Sequence, residues 1–455
     1  MTLPPGANSS GLLRYWRTYK AIFHPLKLFE DDTKHYGEIY RIGQRSPTIV
    51  ISNPQAVKEI FTAPPERFDV GRANASLSFL LGDNSLILMD GEAHQQRRRL
   101  LMPSFHSEYL QSYSQMIWEI TEQVTSRWQI GKPIRVRLYT QEITLRVILQ
   151  VVFGLESQSK RSDRLRRLLS EMLDTISSPL SSSLLFFQFL QKDWGSLSPW
   201  GHFLRLRQQI KQLLYEEIRC RREQNNLDGN DILTMLMLAK DESGASLTDE
   251  ELHDELMTLL IAGHETTASA LVWALYWIHY LPEVREKLLK ELDADRETNK
   301  IEIVKLPYLG AVVSETLRIY PIVFGSFARI AKSSMELMGY QFEPETAFVA
   351  LTYAIHHRED LYPQAQLFRP ERFLERQYSP HEFLPFGGGN RRCLGAALAL
   401  MEMKLVVAQI LSQYNLELSS DRQLKPVRRG LTMAPPGNFQ MLVSDRKIHK
   451  IPTLV

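Results

Sequence analysis

The chain of 455 residues has 44% apolar and 23% charged side chains, with 54 Lys and Arg against 52 Asp and Glu. This composition suits a globular protein with a large core and excludes a disordered chain, and a net charge of +2 leaves no global attraction for nucleic acid, so any basic patch must be local. Two cysteines, Cys220 and Cys393, exclude a disulfide framework and a CxxC metal pattern, and they point to a reducing, cytoplasmic compartment.

Residues Met1 to Ser10 are rich in Pro, Gly and Ser. Leu12 to Phe29 then mixes Arg14, Arg17, Lys20 and Lys27 with aromatics, which fits neither a signal peptide nor a spanning anchor. A solvated amphipathic helix is expected there, and a helix resting on a membrane surface is the other reading. Tyr36 to Ser52 (YGEIYRIGQRSPTIVIS) alternates β-branched and aromatic residues around Gly43 and Pro47, as a hairpin does. From about Pro54 to Asn299 apolar residues recur at helical spacing, clearest in Gln111 to Trp128, Gln141 to Phe153 and Phe203 to Arg222. The Ser-rich pieces Ser177 to Ser183 and Ser196 to Ser198, with the apolar run Leu184 to Leu190 between them, read as loops within a domain. Strand signals return in Ile330 to Leu351, and a final helix follows Cys393. The expected fold is mainly α with a minor β part, as small antiparallel sheets, in one domain over residues 1–455 behind an N-terminal segment 1–35.

Thr248 and Glu251 form a capping box, and the chain then runs from Asp249 to Leu281 without proline until Pro282. Such a helix is roughly 50 Å long. Its second half is apolar except for Ala262-Gly263-His264-Glu265-Thr266-Thr267, and a carboxylate at mid-bilayer costs about 2.5–3.5 kcal/mol, which argues against a membrane span. Gly263 admits two readings, a bulky group against the helix or simple close packing. Thr266 can bond the carbonyl one turn back, and if that bond is shared the helix opens locally to water.

The strongest signal is Phe386-Gly387-Gly388-Gly389-Asn390-Arg391-Arg392-Cys393-Leu394-Gly395, which leads into the helical run Ala396 to Tyr414. Glycines let bare backbone approach a flat ligand, and Cys393 sits at a helix N-terminus beside two arginines, where thiolate is favoured. A single thiolate presented to a planar group suits haem iron. Cys220 lies among Glu216, Arg219, Arg221 and Arg222 without a glycine loop, and fits an inert cysteine.

This loop resembles the haem-binding signature of the cytochrome P-450 superfamily, matching at Phe386, Gly389, Arg391, Cys393 and Gly395. Ala262, Gly263, Glu265 and Thr266 resemble that family's oxygen-activation motif, Glu315-Thr316-Leu317-Arg318 its Glu-x-x-Arg helix, and Pro370-Glu371-Arg372-Phe373 the segment whose arginine joins it. Gly91 to Arg99, continuing to Phe105, is similar to the family helix that clamps a haem propionate. The resemblance covers about Tyr36 to Leu442, nearly the whole chain.

It implies a haem b cofactor with Cys393 as iron ligand. The implied haem contacts are His94, Arg98, Ala262, Thr266, Arg329, Pro385, Phe386, Gly387, Arg391 and Gly395, with His357 as a further propionate contact. Glu265 and Thr266 are the implied proton-delivery pair. The pocket is implied to be lined by the segment between Gly71 and Leu88, by Leu184 to Leu190, by Leu259 to Thr266, and by Ile322 to Phe327 with Val323 and Phe324; Ala262 would touch both haem and substrate. These segments are largely apolar and imply a fatty acid, alkane or terpenoid-like substrate. Retention of Glu265 and Thr266 favours O2 and reductant. No flavin or ferredoxin signature appears, so a separate ferredoxin or flavodoxin is expected to supply electrons, with Arg97, Arg99 and Arg392 as its basic landing patch. The competing readings are a peroxide-dependent peroxygenase or isomerase on the same fold, and a haem carrier or sensor without turnover.

Overall fold

The computed structural model describes residues 3–7, 12–43, 47–105, 107–154, 160–178, 181, 191–193, 195, 198–224, 229–294 and 300–447. The run Leu184 to Leu190, expected in the pocket, lies outside the described residues. The N-terminal amphipathic run is two helices rather than one, α1 (Leu12–Phe23) and α2 (Pro25–Tyr36). Pro25 disfavours helical backbone at His24, which takes φ −138° and ψ 51°, and then starts the second helix at its first position.

The expected hairpin forms from β2 (Ile39–Ile42) and β3 (Thr48–Ile51), antiparallel with Ile39 opposite Ile51. With β1 (Gly6–Ala7), β4 (Phe68–Asp69), β5 (Arg329–Ala331) and β6 (Ala347–Ala350) it builds a sheet ordered β1-β2-β3-β6-β5-β4. The β3/β6 pairing is parallel, Thr48 opposite Ala347, so the sheet joins the two ends of the sequence. One face covers α3 (Pro54–Thr62), whose Ala56, Val57, Ile60 and Phe61 are buried with Phe68, Phe348 and Leu384. A second hairpin, β7 (Val427–Arg429) and β8 (Thr432–Ala434), stands apart from this sheet.

The bulk is helical: α4 (Gly91–Leu101), α5 (Ser107–Thr125), α6 (Val136–Phe153), α7 (Lys160–Thr175), α8 (Pro199–Gln224), α9 (Asp249–Tyr280), α10 (Pro307–Ile319) and α11 (Ala396–Gln413). Helix α9 is the axis. Its capping box is made in full, and its side chains are buried on nearly every face from Leu252 to Ile278 because α6, α8, α10 and α11 pack around it. Gly263 is explained by close packing: a Cβ there would stand 2.8 Å from Ile148 Cδ1 of α6. Among the described residues one helix, α11, is long and apolar enough to cross a membrane, and about two thirds of it is buried inside the protein (67%).

Glu315 and Arg318 of α10 are wholly buried, with Arg318 donating Nε to Glu315 Oε2 at 2.7 Å and Nη2 to Oε1 at 2.9 Å. Arg372 donates to Glu315 Oε1 at 3.2 Å, and the remaining guanidinium hydrogens reach the carbonyls of His356, Leu367 and Pro363. The two guanidiniums share the one carboxylate and give their other hydrogens to backbone carbonyls, which is what makes so buried a network tolerable. It ties α10 to the segment that leads into the cysteine loop.

Candidate active site

The cysteine loop is seated by α3. The Cys393 amide donates to the Phe386 carbonyl at 3.0 Å, closing a turn in which Gly387 and Gly389 take φ of +66° and +65°. A Cβ on Gly388 would lie 2.3 Å from Phe61 Cδ2, and one on Gly389 2.2 Å from the Phe61 carbonyl oxygen. Two of the three glycines are therefore required by Phe61, and their bareness faces α3. At Gly395 a Cβ would meet nothing within 4 Å, so that side of the loop is open. Pro385, Phe386 and Gly387 are half-buried along it.

Cys393 is exposed to a water-sized sphere yet surrounded by protein, so its sulfur borders an internal space. Burial pushes its thiol up, opposed by the Gly395 amide and the guanidiniums of Arg98 and Arg392. The loop amide and the arginines thus act in the expected direction but against desolvation, and a bound metal cation is what deprotonates a coordinating thiol outright. On α9, which packs against α11, Ala262 is exposed in the middle of a buried helix and Thr266 is half-buried. The Thr266 hydroxyl donates to the Ala262 carbonyl at 2.6 Å, and the helix continues without a break.

Beside the loop the structure gathers four cationic or imidazole groups around one carboxylate. Arg391 donates to Asp90 Oδ1 at 2.9 Å and to the Met89 carbonyl at 2.5 Å, and Arg329 donates to the Gly388 carbonyl at 3.1 Å while its guanidinium lies 4.4 Å from the centre of the Phe61 ring. Burial, with each arginine's repulsion by its neighbours, pulls both Arg329 and Arg391 down to about 10. Burial and the nearby Arg391 and Arg98 push His94 down to about 3, so it is neutral. His94 Nδ1, Arg329 Nε and Arg391 Nε are buried without partners, and His94, Arg329 and Arg391 line one recess with Gly91 and Asn390. Orphaned buried donors and uncompensated positive charge call for anions. Two propionates on a flat macrocycle supply them, and the open side of Gly395 supplies the room, so these residues fit haem. His357 does not join this group: its Nδ1 meets the Tyr353 carbonyl at 2.8 Å and its ring packs on Tyr353.

Glu265 has partners that the sequence did not announce. Arg137 of α6 pairs with Oε1, Arg429 of β7 donates Nε to the same oxygen at 2.8 Å, and Gln141 donates to Oε2 at 2.9 Å. Burial alone would raise this carboxyl, but Arg137, Arg429 and His264 together hold it below the usual carboxylate range. Arg429 also reaches Asp174 at 2.5 Å, whose side chain is 62% exposed, so the network ends in solvent. Neighbouring His264 is buried, its Nδ1 2.8 Å from Thr144 Oγ1.

The segment 71–88 is clamped at both ends. Asp90 accepts from the amides of Val70, Gly71 and Arg72, while Asp254 and Thr258 of α9 hold Asn84 and Ser85 at 2.9 Å and 2.7 Å. In the loop after α10, Val323 is exposed, whereas Phe324 packs on Phe29 of α2 at 5.6 Å. Arg97 is not on the basic surface patch: it is buried, pairing with Glu251 at 2.5 Å and Glu255 at 3.2 Å. The other two residues of the expected patch, Arg99 and Arg392, are exposed, Arg99 paired with Glu242. Cys220 is half-buried on α8, away from this site.

A thiol on a glycine loop, a helix turned open-faced toward an internal space, and an anion-seeking cluster of arginines define a haem-thiolate protein. The cytochrome P450 family model matches residues 10–443, and the chain belongs to that family. It is 34% identical to cytochrome P450 135B1 of Mycobacterium tuberculosis over 438 residues, covering 96% of this chain and 90% of the relative. It is 30% identical over 419 residues to cytochrome P450 138 of the same organism, covering 91% and 90%. The cyanobacterial CYP120A1 with retinoic acid bound superposes with a TM-score of 0.84 at 25% identity, covering 98% of this chain and 99% of the other. The protein is accordingly a haem-thiolate monooxygenase carrying iron protoporphyrin IX.

Proposed function

We propose that this single-domain enzyme inserts an oxygen atom from O2 into a hydrophobic substrate in the cytoplasm, with electrons from a separate ferredoxin or flavodoxin. The observation that carries the reading is the pairing of an open Ala262/Thr266 face with a Glu265 carboxylate wired to solvent through Arg429 and Asp174. When bound, the haem supplies reductive activation of O2 at an iron ligated by the Cys393 thiolate.

The chain's own residues do the rest. His94, Arg98, Arg329 and Arg391 hold the propionates, with Phe61 fixing the Arg329 guanidinium and Asp90 the Arg391 one. Thr266, whose hydrogen is given to Ala262, offers its lone pairs to an ordered water. Glu265 rests as the carboxylate; it takes a proton from water at the solvent end of its network, exchanges an arginine for the ordered water, and gives that proton inward, returning to the carboxylate. The apolar segments around Val323 and Leu259 select the substrate, and the retinoic acid bound by CYP120A1, a long isoprenoid hydrocarbon ending in a carboxylate, is of the expected hydrophobic class.

The test is spectroscopic and then catalytic. Reduced protein with carbon monoxide should show the red-shifted Soret band of a thiolate ligand, and Cys393→Ala should lose it. Fatty acids, alkanes and terpenoids are then screened for displacement of the iron-bound water, and hits are incubated with O2, NADPH, ferredoxin and its reductase. Product from peroxide alone, with none from the reductase system, would replace this reading by the peroxygenase one.

A further inference from the structure

Helix α1 is turned inside out. Arg17 and Lys20 face the protein, with Arg17 donating to both oxygens of Asp32 at 2.9 and 2.5 Å and Lys20 meeting Asp31 at 3.4 Å, both acids belonging to α2. Its aromatic side chains face out: Tyr15 is 76% exposed, Trp16 55%, Tyr19 45% and Phe23 37%. They form a continuous row, with Trp16 stacked on Tyr19 at 5.5 Å and Tyr19 against Phe23 at 4.9 Å. A solvated helix places its apolar stripe on the core, so this arrangement needs another environment.

We propose that this aromatic row docks on the anionic headgroup layer of a lipid bilayer, where the apolar substrate is collected. Three features choose that occupant. Tyr and Trp rings suit the headgroup level, one edge apolar and the other able to hydrogen-bond. With 12 residues the helix is far short of the roughly 20 needed to span, so it lies on the surface. Charge complementarity decides between a membrane and a second copy: α1 carries no acid, and α1 with α2 holds five Lys and Arg against three Asp and Glu, an excess that attracts anionic lipid and repels its own duplicate.

The position serves the pocket. Arg428 of β7 donates to the Ala21 carbonyl of α1 at 3.2 Å, with exposed Val427 and Leu431 on the same hairpin, and Met433 of β8 donates its amide to the Ile322 carbonyl at 2.8 Å, beside Val323. Phe29 of α2 touches Phe324 on that loop. The docked face and the substrate loop are therefore joined through one hairpin. The collection role rests on the apolar-substrate reading above, while docking itself is measured without substrate.

The experiment is co-flotation of the full-length haem-loaded protein with vesicles of phosphatidylcholine alone, or with roughly a third phosphatidylglycerol, at low and high salt. Flotation with the anionic vesicles, weakened by salt, is expected, and the combined variant Tyr15→Ser, Trp16→Ser, Tyr19→Ser should lose about tenfold or more in binding while keeping its carbon monoxide spectrum. Wild-type protein that stays unbound, or a variant that floats equally well, overturns the proposal. So does a concentration-dependent dimer in sedimentation that the same variant dissolves, since a second copy would then own the face. If flotation holds but no apolar compound perturbs the haem spectrum, docking stands and the substrate reading fails.

Discussion

Replacing Arg137 by Met isolates the electrostatics of Glu265. Both side chains are mostly buried, at 6% and 13% exposure, and Met keeps the stem while removing one of the two guanidiniums on Oε1. Breaking a buried pair costs about 3–5 kcal/mol when the remaining charge is left alone, but Arg429 and Gln141 remain, so about 1–3 kcal/mol is expected at neutral pH. The loss must depend on pH with a definite sign. In the wild type the folded carboxyl lies below its unfolded value, so its contribution is full above that value and disappears as pH falls through the folded one. With Arg137 gone, burial is less fully opposed and the carboxyl rises from its wild-type position, so the contribution held at neutral pH shrinks, and the two proteins converge once both carboxyls are protonated. Each unit between the two positions is worth about 1.4 kcal/mol. Urea unfolding of the haem-loaded protein, followed by circular dichroism from about pH 4 to 8, should show a wild-type–variant gap that is wide at neutral pH and closes toward acid. Glu265→Gln should flatten it. A gap independent of pH with Glu265 in place would refute this account of the network.

Thr266→Ala should leave haem and substrate binding intact but lower product formed per NADPH, the missing electrons appearing as hydrogen peroxide; unchanged coupling would remove Thr266 from proton delivery. Arg329→Met takes one charge-assisted donor, worth about 1.5–3 kcal/mol, from the propionate cluster, so haem transfer to apomyoglobin should accelerate about tenfold or more. Gly388→Ala drives a methyl into the Phe61 ring and should destabilise by about 1–3 kcal/mol. Adding Phe61→Leu should recover part of that cost, and strict additivity of the two in a double-mutant cycle would show that the ring does not seat the loop.

The local features of this fold were legible because they are written in short stretches. The capping box, the proline-free run to Tyr280, the hairpin around Gly43 and the glycine loop before Cys393 all lie where spacing placed them. What spacing could not show are partnerships across the chain. Arg137 and Arg429 lie 128 and 164 residues from Glu265, and nothing local marks them. The glycines were readable as necessary but not as to why, since the reason is Phe61 for Gly388 and Ile148 for Gly263. Arg97 was misread although a signal existed: His94, Arg97 and Leu101 stand three and four apart and are the buried stripe of α4, which should have drawn Arg97 inward. The split of the N-terminal run was equally available in Pro25.

Arg428 and Arg429 are consecutive on β7, and strand alternation sends one to α1 and the other to Glu265 and Asp174. Loss or gain of a single residue ahead of them would exchange the two sides at once, freeing the N-terminal helix and unmooring the buried acid together. Anyone recombining segments among relatives should therefore carry this hairpin, the first two helices and the loop after α10 as one inherited block, and should keep crossovers and length changes out of it.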